Sequence, residues 1–345
     1  MTTRLTILGG GAMGTACAML LAEQPHQQVS IWVRDQDQAT EIQSTRENRR
    51  FLPGCKLNDN IFITSDIHVA INHCDYLVLA IPCQFLRQSL QLVRNSLPEA
   101  VPVISVIKGV ENGTFQRPSQ IVTEILGPRS VAILSGPSHA EELAHRLPAT
   151  VVASSEDLEL ACRVQQMFST ERFRIYTNAD TLGVEYAGAL KNVIAIACGI
   201  CDGLGFGDNA KSALMTRGLV EMQRFGVYFG GHPMTFTGLA GMGDLITTCV
   251  SPYGRNRKVG FRLGSGESIS DILHSMEGVA EGVATSKSVA EIALRHRLDL
   301  PIMQQVYEVL FCGKTPQKAT MALLERPPRS ESAEIAAIVE ATPAL

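Results

Sequence analysis

Leu5-Thr6-Ile7-Leu8-Gly9-Gly10-Gly11-Ala12-Met13-Gly14 opens the chain with a short apolar run that breaks into a G-x-G-x-x-G pattern. Gly9, Gly11 and Gly14 at this spacing permit a tight strand-to-helix turn, close approach of a pyrophosphate, and packing of the helix on the strand. The N-terminus of that helix adds oriented amide donors for an anion. A lone glycine pattern says little, but one lying directly after a strand and opening a helix predicts a dinucleotide-binding βαβ unit. The ribose-reading position, about twenty residues past the last glycine, holds Arg34-Asp35. Arg34 favours a 2′-phosphate and Asp35 a free 2′-hydroxyl, which leaves NADP and NAD both open with NADP ahead.

Apolar runs return at Val29-Ser30-Ile31-Trp32-Val33, Ile61-Phe62-Ile63-Thr64, Tyr76-Leu77-Val78-Leu79-Ala80-Ile81, Val103-Ile104-Ser105-Val106-Ile107 and Val131-Ala132-Ile133-Leu134, with helix-like segments between several of them. Runs that are apolar on both faces and separated by crossovers predict a parallel sheet covered by helices on both sides, an α/β architecture. From about residue 180 the strand signals stop, and the segments 184–200, 210–228 and 286–296 have helical length and spacing. A second, all-helical domain is expected there. Arg326-Pro327-Pro328-Arg329-Ser330 reads as the start of a loosely held tail.

The 345 residues, 45% apolar, supply enough material for two cores. A net charge of -4 excludes a general nucleic-acid or membrane surface, so any anion must be held by a local cluster. The N-terminal run reaches glycine before it builds a signal core, and no later apolar run reads as a membrane span, so a soluble cytoplasmic protein is expected. Nine scattered cysteines fit reduced thiols, and Cys198 and Cys201, inside an apolar helical run without a second pair, read as packing. The eight histidines show no metal-ligand spacing, and no metal is expected.

The chemistry concentrates elsewhere. Gly241-Met242-Gly243-Asp244-Leu245-Ile246-Thr247-Thr248-Cys249 sets a carboxylate between glycine and an apolar helix, ahead of the cationic Arg255-Asn256-Arg257-Lys258. That arrangement suggests an anionic substrate. Lys108 follows a strand run and precedes Gly109, which places an ammonium at the carboxyl edge of the sheet, where open α/β sheets bind ligands. Lys191 interrupts an apolar helix, where a lysine must pair, snorkel or work. Burial beside other cations lowers a lysine's pKa and makes it a competent acid or base near neutrality. An ammonium so placed can stabilise and protonate an oxygen that gains negative charge, with Asp244 orienting it and Arg255 offering a planar fork to an anion.

These residues resemble the bacterial NAD(P)-dependent glycerol-3-phosphate dehydrogenases, in order and with compatible spacing to about residue 325. The likeness includes Asn48-Arg49-Arg50-Phe51-Leu52-Pro53-Gly54, Ile107-Lys108-Gly109, Leu134-Ser135-Gly136-Pro137-Ser138-His139-Ala140-Glu141-Glu142, Leu190-Lys191-Asn192-Val193, Gly207-Asp208-Asn209-Ala210-Lys211, Gly238-Leu239-Ala240-Gly241-Met242-Gly243-Asp244-Leu245, Arg255-Asn256-Arg257 and Val279-Ala280-Glu281-Gly282-Val283. The resemblance implies a Rossmann-type domain over residues 1–180 and a helical substrate domain over 181–325, in a 6-phosphogluconate-dehydrogenase-like arrangement, with a flexible tail over 326–345. It implies reversible conversion of dihydroxyacetone phosphate to sn-glycerol 3-phosphate for glycerophospholipid synthesis, with a homodimer as the assembly expected by base rate.

By the same resemblance Lys191 is the proton donor and acceptor, supported by Lys108 and Asp244. Lys108, Gly136, Ser138, Lys191, Asp244, Gly254, Arg255 and Asn256 fall where the family holds substrate. Gly9, Gly11, Ala12, Met13, Gly14, Arg34, Lys108, Ala140, Arg255, Val279 and Glu281 fall where it contacts NADP or NAD. The chain departs from the pattern at Ala12 and Met13, where a polar residue and an aromatic are usual, at Gly254, where a serine is usual, and at His139, where phenylalanine is common. The rival readings are another two-domain reductase, such as a ketopantoate reductase or a 3-hydroxyacid dehydrogenase, and a nucleotide-sensing protein without catalysis.

Overall fold

The computed structural model describes residues 2–328 and 330–332. Eight strands form one sheet: β1 (Thr3–Leu8), β2 (Gln27–Trp32), β3 (Ile61–Thr64), β4 (Tyr76–Leu79), β5 (Val103–Ser105), β6 (Val131–Ser135), β7 (Ala149–Ser155) and β8 (Phe173–Asn178), in the order β3-β2-β1-β4-β5-β6-β7-β8. Period-two alternation sends Leu5, Ile7, Val29, Ile31, Val78 and Ile104 into one core, while Leu8, Trp32, Leu77, Leu79 and Val103 enter another. The sheet is therefore covered on both faces, as the continuous apolar runs require.

Two strands escape a search for apolar runs. β7 pairs antiparallel with β6, and β8 pairs parallel with β7, so the sheet is mostly rather than wholly parallel. In β8, Phe173 and Ile175 are buried while Arg174 and Tyr176 are exposed, so its signal is alternation and not a run. Strands β4 and β5 end at Leu79 and Ser105, before the ends of the apolar runs that announce them.

Past β8 all described elements are helical. The 23-residue helix Thr181–Gly203 corrects one expectation: it is long and apolar enough to cross a membrane. Its apolar window is wholly buried inside the protein, which makes it the axis of a core. Gly199 and Gly203 on this helix meet Gly260 and Gly264 on the helix Arg255–Gly264 backbone to backbone. A Cβ on Gly199 would lie 2.0 Å from Arg257 O, and one on Gly260 would lie 2.0 Å from Ile196 O. This close approach sets Asn256 beside Asn192, the neighbour of Lys191. Nearby, the buried Glu221 carboxylate accepts from Ile302 N at 2.7 Å and Met303 N at 3.1 Å, capping the helix Pro301–Phe311.

The chain forms two compact units: Met1–Ile107 with Arg117–Thr181, and Lys108–Gln116 with the chain from Leu182 onward. Residues 108–116 thus depart from a division at 180. The physical cause is long-range bonding: Asn192 Nδ2 donates to Lys108 O at 3.1 Å, and Ser288 Oγ donates to Asn112 Oδ1 at 2.6 Å. Lys108 accordingly stands in the helical unit, three residues beyond the end of β5. At the other end, Arg326 pairs with Asp299 at 2.8 Å and so is held rather than loose, while residues 329 and 333–345 of the expected tail lie outside the described residues.

Candidate active site

The π-helical turn Leu239–Gly243 delivers Asp244 to the start of the helix Asp244–Val250. Asp244 is 2% exposed and Lys191, from the middle of the long apolar helix, is 5% exposed. Lys191 Nζ donates to Asp244 Oδ1 at 2.6 Å, and Lys108 Nζ donates to Asp244 Oδ2 at 2.7 Å. One carboxylate thus bridges two ammoniums, one on each oxygen. Lys191 Nζ also donates to Thr248 Oγ1, and the Thr248 hydroxyl lies 3.3 Å from Asp244 Oδ1.

Burial pushes Lys191 down to about 8, against the raising pull of Asp244 and with help from the second cation, Lys108. Burial alone would raise Asp244, but Lys108 and Lys191 together outweigh it and hold the carboxyl below its usual range. The result is an ionised carboxylate beside a lysine poised to exchange a proton near neutrality.

A second network supports the first. Asn192 is the neighbour of Lys191, and its Nδ2 donates to Lys108 O and to Gly188 O. Asn256 Nδ2 donates to Asn192 Oδ1 at 2.9 Å, while Asn256 Oδ1 accepts from Gly282 N at 2.9 Å. Asn256 is buried, and these two bonds engage its carbonyl oxygen and one of the two N–H groups of its amide. The cationic cluster of residues 255–258 is also divided by its helix. Arg257 Nε pairs with Asp202 Oδ2 at 2.7 Å, a carboxylate shared with Lys211, whereas Arg255 is exposed beside Gly278. Gly254 is the buried N-cap of that helix, Val279 is exposed, and Glu281 opens the helix Glu281–His296.

Thr248 and Asn192 were not singled out by sequence. Thr248 could have been found from its position four residues after Asp244, on the same helix face.

In the other unit, β1 runs into the glycine loop and then the helix Ala12–Leu21. Gly9 has φ +124°, and a Cβ there would lie 2.5 Å from Ala80 O; a Cβ on Gly14 would lie 1.9 Å from Gly9 O. Only glycine fits either position. A Cβ placed on Gly11, the helix N-cap, would meet nothing within 4 Å, so the turn is open to the approach of an anion at the helix N-terminus. Ala12 and Met13 begin the helix and pack partly buried on the core.

Arg34 is exposed just after β2, its guanidinium 6.0 Å from the Phe85 ring centroid. Asp35 Oδ1 accepts from Gln38 N at 2.8 Å and caps the helix Gln36–Thr45, which gives that carboxylate a structural task. Gly136 has φ +138° after β6, Ser138 Oγ donates to its carbonyl at 2.8 Å, and Ala140 opens the helix Ala140–Ala144.

All nine cysteines are free thiols. Cys198 is buried against Cys249, and its bond to that thiol, together with burial, raises its pKa far above the ordinary thiol range. Cys201 is raised too, by burial first. Neither is a nucleophile at neutral pH. The double substitution Cys198→Ala, Cys201→Ala is expected to keep kcat, with no response to zinc or chelators and a modest loss of stability from removed volume. Chelator-sensitive turnover of the parent protein is the contrary result.

Comparison with known proteins covers most of the chain. Residues 4–161 match the family described as NAD-dependent glycerol-3-phosphate dehydrogenase N-terminus, and residues 180–321 match its C-terminus. A glycerol-3-phosphate dehydrogenase [NAD(P)+] of Chlorobium limicola is 46% identical over 95% of this chain and 99% of its own. The one from Geobacillus thermodenitrificans is 46% identical over 95% and 96%. The crystal structure of glycerol-3-phosphate dehydrogenase from Coxiella burnetii superposes with a TM-score of 0.91 at 33% identity, covering 94% of this chain and 99% of that one. A ketopantoate reductase from Ralstonia eutropha, by contrast, reaches a TM-score of 0.57 at 13% identity, a likeness of fold alone. With the glycine turn, the lysine-flanked carboxylate and both family halves in place, the chain belongs to the NAD-dependent glycerol-3-phosphate dehydrogenases.

Proposed function

We propose that this chain catalyses the reversible conversion of dihydroxyacetone phosphate and NAD(P)H to sn-glycerol 3-phosphate and NAD(P)+. The observation that carries the reading is the buried Lys191–Asp244 pair with the half-buried Lys108 on the second carboxylate oxygen, a proton donor tuned towards neutrality with its counter-charge built in. The chemistry contributed by a bound nicotinamide is hydride to the carbonyl carbon in one direction and its removal in the other.

Everything else falls to side chains. As negative charge develops on the carbonyl oxygen, the Lys191 ammonium stabilises it and gives it a proton from Nζ; in oxidation neutral Nζ takes that proton back. Lys108 adds a second positive charge, and Asp244 orients both ammoniums without giving up a proton itself. Thr248 fixes Nζ from the other side. Arg255 holds the phosphate with its planar fork, Asn256 adds the free N–H of its amide, and Gly136, Ser138 and Gly254 complete the substrate contacts. The backbone at Gly9, Gly11, Ala12, Met13 and Gly14, together with Arg34, Ala140, Val279 and Glu281, is assigned to the cofactor.

Asn192 and Asn256 act as an internal brace on Lys108 O and the Glu281–Gly282 turn. We place the reaction in a reducing cytoplasm, a reading supported by the free thiols, with a homodimer as the expected assembly.

The deciding assay is oxidation of NADPH with dihydroxyacetone phosphate beside ketopantoate as a carboxylate-bearing competitor. Faster turnover of the carboxylate would assign the chain to a different reductase activity, and no turnover of either would favour a nucleotide sensor.

Cofactor choice rests on Arg34. A charge-assisted bond from its guanidinium to the 2′-phosphate is worth ~1.5–3 kcal/mol, or about ten- to a hundredfold in affinity. Arg34→Ala should raise the KM for NADPH by that factor and leave the KM for NADH nearly unchanged. Because the residue is exposed, the difference should shrink as ionic strength rises. A matching rise in both KM values would show that Arg34 supports the loop instead.

A further inference from the structure

Asn48 is wholly buried, yet it follows a surface helix and no step assigned so far uses it. Its Nδ2 donates to Gly10 O at 2.9 Å and to Thr15 Oγ1 at 2.8 Å. Gln38, from the first turn of the Gln36–Thr45 helix, sends Nε2 to the same Gly10 O at 3.2 Å and to Asn48 Oδ1 at 3.3 Å. The carbonyl in the middle of the glycine turn therefore receives two side-chain amide donors from a segment more than twenty residues away in sequence.

That carbonyl belongs to the peptide joining Gly10 to Gly11. In a planar trans peptide the C=O and the N–H of one unit point in opposite directions. Holding Gly10 O inwards thus aims the Gly11 N–H away from Asn48, at the N-cap where the structure leaves open space around Gly11. A glycine-rich peptide has little steric resistance to rotation. Without the two donors the unit can turn over and present a carbonyl oxygen where an anion needs an N–H.

We propose that Asn48, seconded by Gln38, is a positioning residue that keeps the Gly10–Gly11 peptide in the orientation that donates to the cofactor pyrophosphate. The inference rests on the assignment of the glycine turn to NAD(P). Gln38 N also bonds the Asp35 cap, so the same helical turn that carries the ribose-reading segment steadies the pyrophosphate loop.

The test is calorimetric titration of the purified full chain with NADPH and, separately, with NADH. Asn48→Ala is expected to raise Kd about tenfold for both nucleotides alike, since the pyrophosphate is common to them, and the kinetic loss should fall on the nucleotide KM in place of kcat. Gln38→Ala, at a half-exposed position that tolerates truncation, should give a smaller rise of the same kind, two- to fivefold. This second variant keeps the test decisive if Asn48→Ala does not fold. Asn48→Asp retains the volume but replaces the donor by an acceptor and should bind at least as poorly as Asn48→Ala.

A purely structural role predicts a lower melting temperature with both Kd values unchanged, and that result overturns the proposal. So does a loss confined to NADPH, which would place the effect at the 2′-phosphate. A parent protein that binds neither nucleotide overturns the NAD(P) assignment together with the brace; a parent that binds both, with variants that match it, overturns the brace alone.

Discussion

Lys191→Met is expected to lower kcat at least ~10²-fold, the lower end for a lost general acid, while leaving the fold and nucleotide binding in place. Methionine fills the apolar part of the lysine's space in the Thr181–Gly203 helix, and Asp244 keeps Lys108 as its partner at 2.7 Å, so no buried carboxylate is left bare. Circular dichroism and NADPH titration check those two conditions before the rate is read. The parent's pH profile is a second signature. Because burial holds Lys191 at about 8, its ammonium is the main form at neutrality and its amine the main form above that value. Reduction of dihydroxyacetone phosphate uses the ammonium and should slow as pH rises through about 8; oxidation of sn-glycerol 3-phosphate uses the amine and should quicken over the same window. A Lys191→Met protein with near-parent kcat would remove the lysine from the chemistry.

Asp244→Ala carries the largest expected cost in stability. It leaves two ammoniums close together with the carboxylate that joined them gone, and breaking a buried ion pair from one side typically costs ~3–5 kcal/mol. The denaturation midpoint should fall accordingly. Asp244→Asn separates charge from shape: its oxygen can still accept from Lys191, but the negative charge is lost. The pull that raises Lys191 then disappears while burial and Lys108 continue to lower it. More of Lys191 is neutral at neutral pH, so the reduction profile should move to lower pH and its rate at neutrality should drop. An Asp244→Asn variant with the parent's stability and pH profile would show that the carboxylate neither holds nor tunes the lysines.

Much of this is legible in the sequence. The glycine turn announces itself because two of its positions exclude every other residue: a Cβ on Gly9 or Gly14 meets backbone oxygen within 2.5 Å. The strands with both faces buried appear as unbroken apolar runs. Lys191 stands out because a charge inside an apolar helix is costly unless it is paired. The missed strands β7 and β8 have weaker local signals, and β7 turns antiparallel through its pairing with β6, a non-local choice.

Sequence by itself thus determined the class of fold and marked out the glycine turn, the two lysines and the carboxylate as candidates, since each leaves a mark in local composition or spacing. Tertiary structure alone decided that one carboxylate serves both lysines, that residues 108–116 join the helical unit, that Arg257 turns to Asp202 while Arg255 stays exposed, and that Asn256 and Asn48 bond inwards. Helical and strand periods say which residues share a face, but not which face they will meet. At this site that meeting depends on glycines 199, 203, 260 and 264 bringing two backbones together and on hydrogen bonds spanning 26 to 136 residues, for which no local pattern exists.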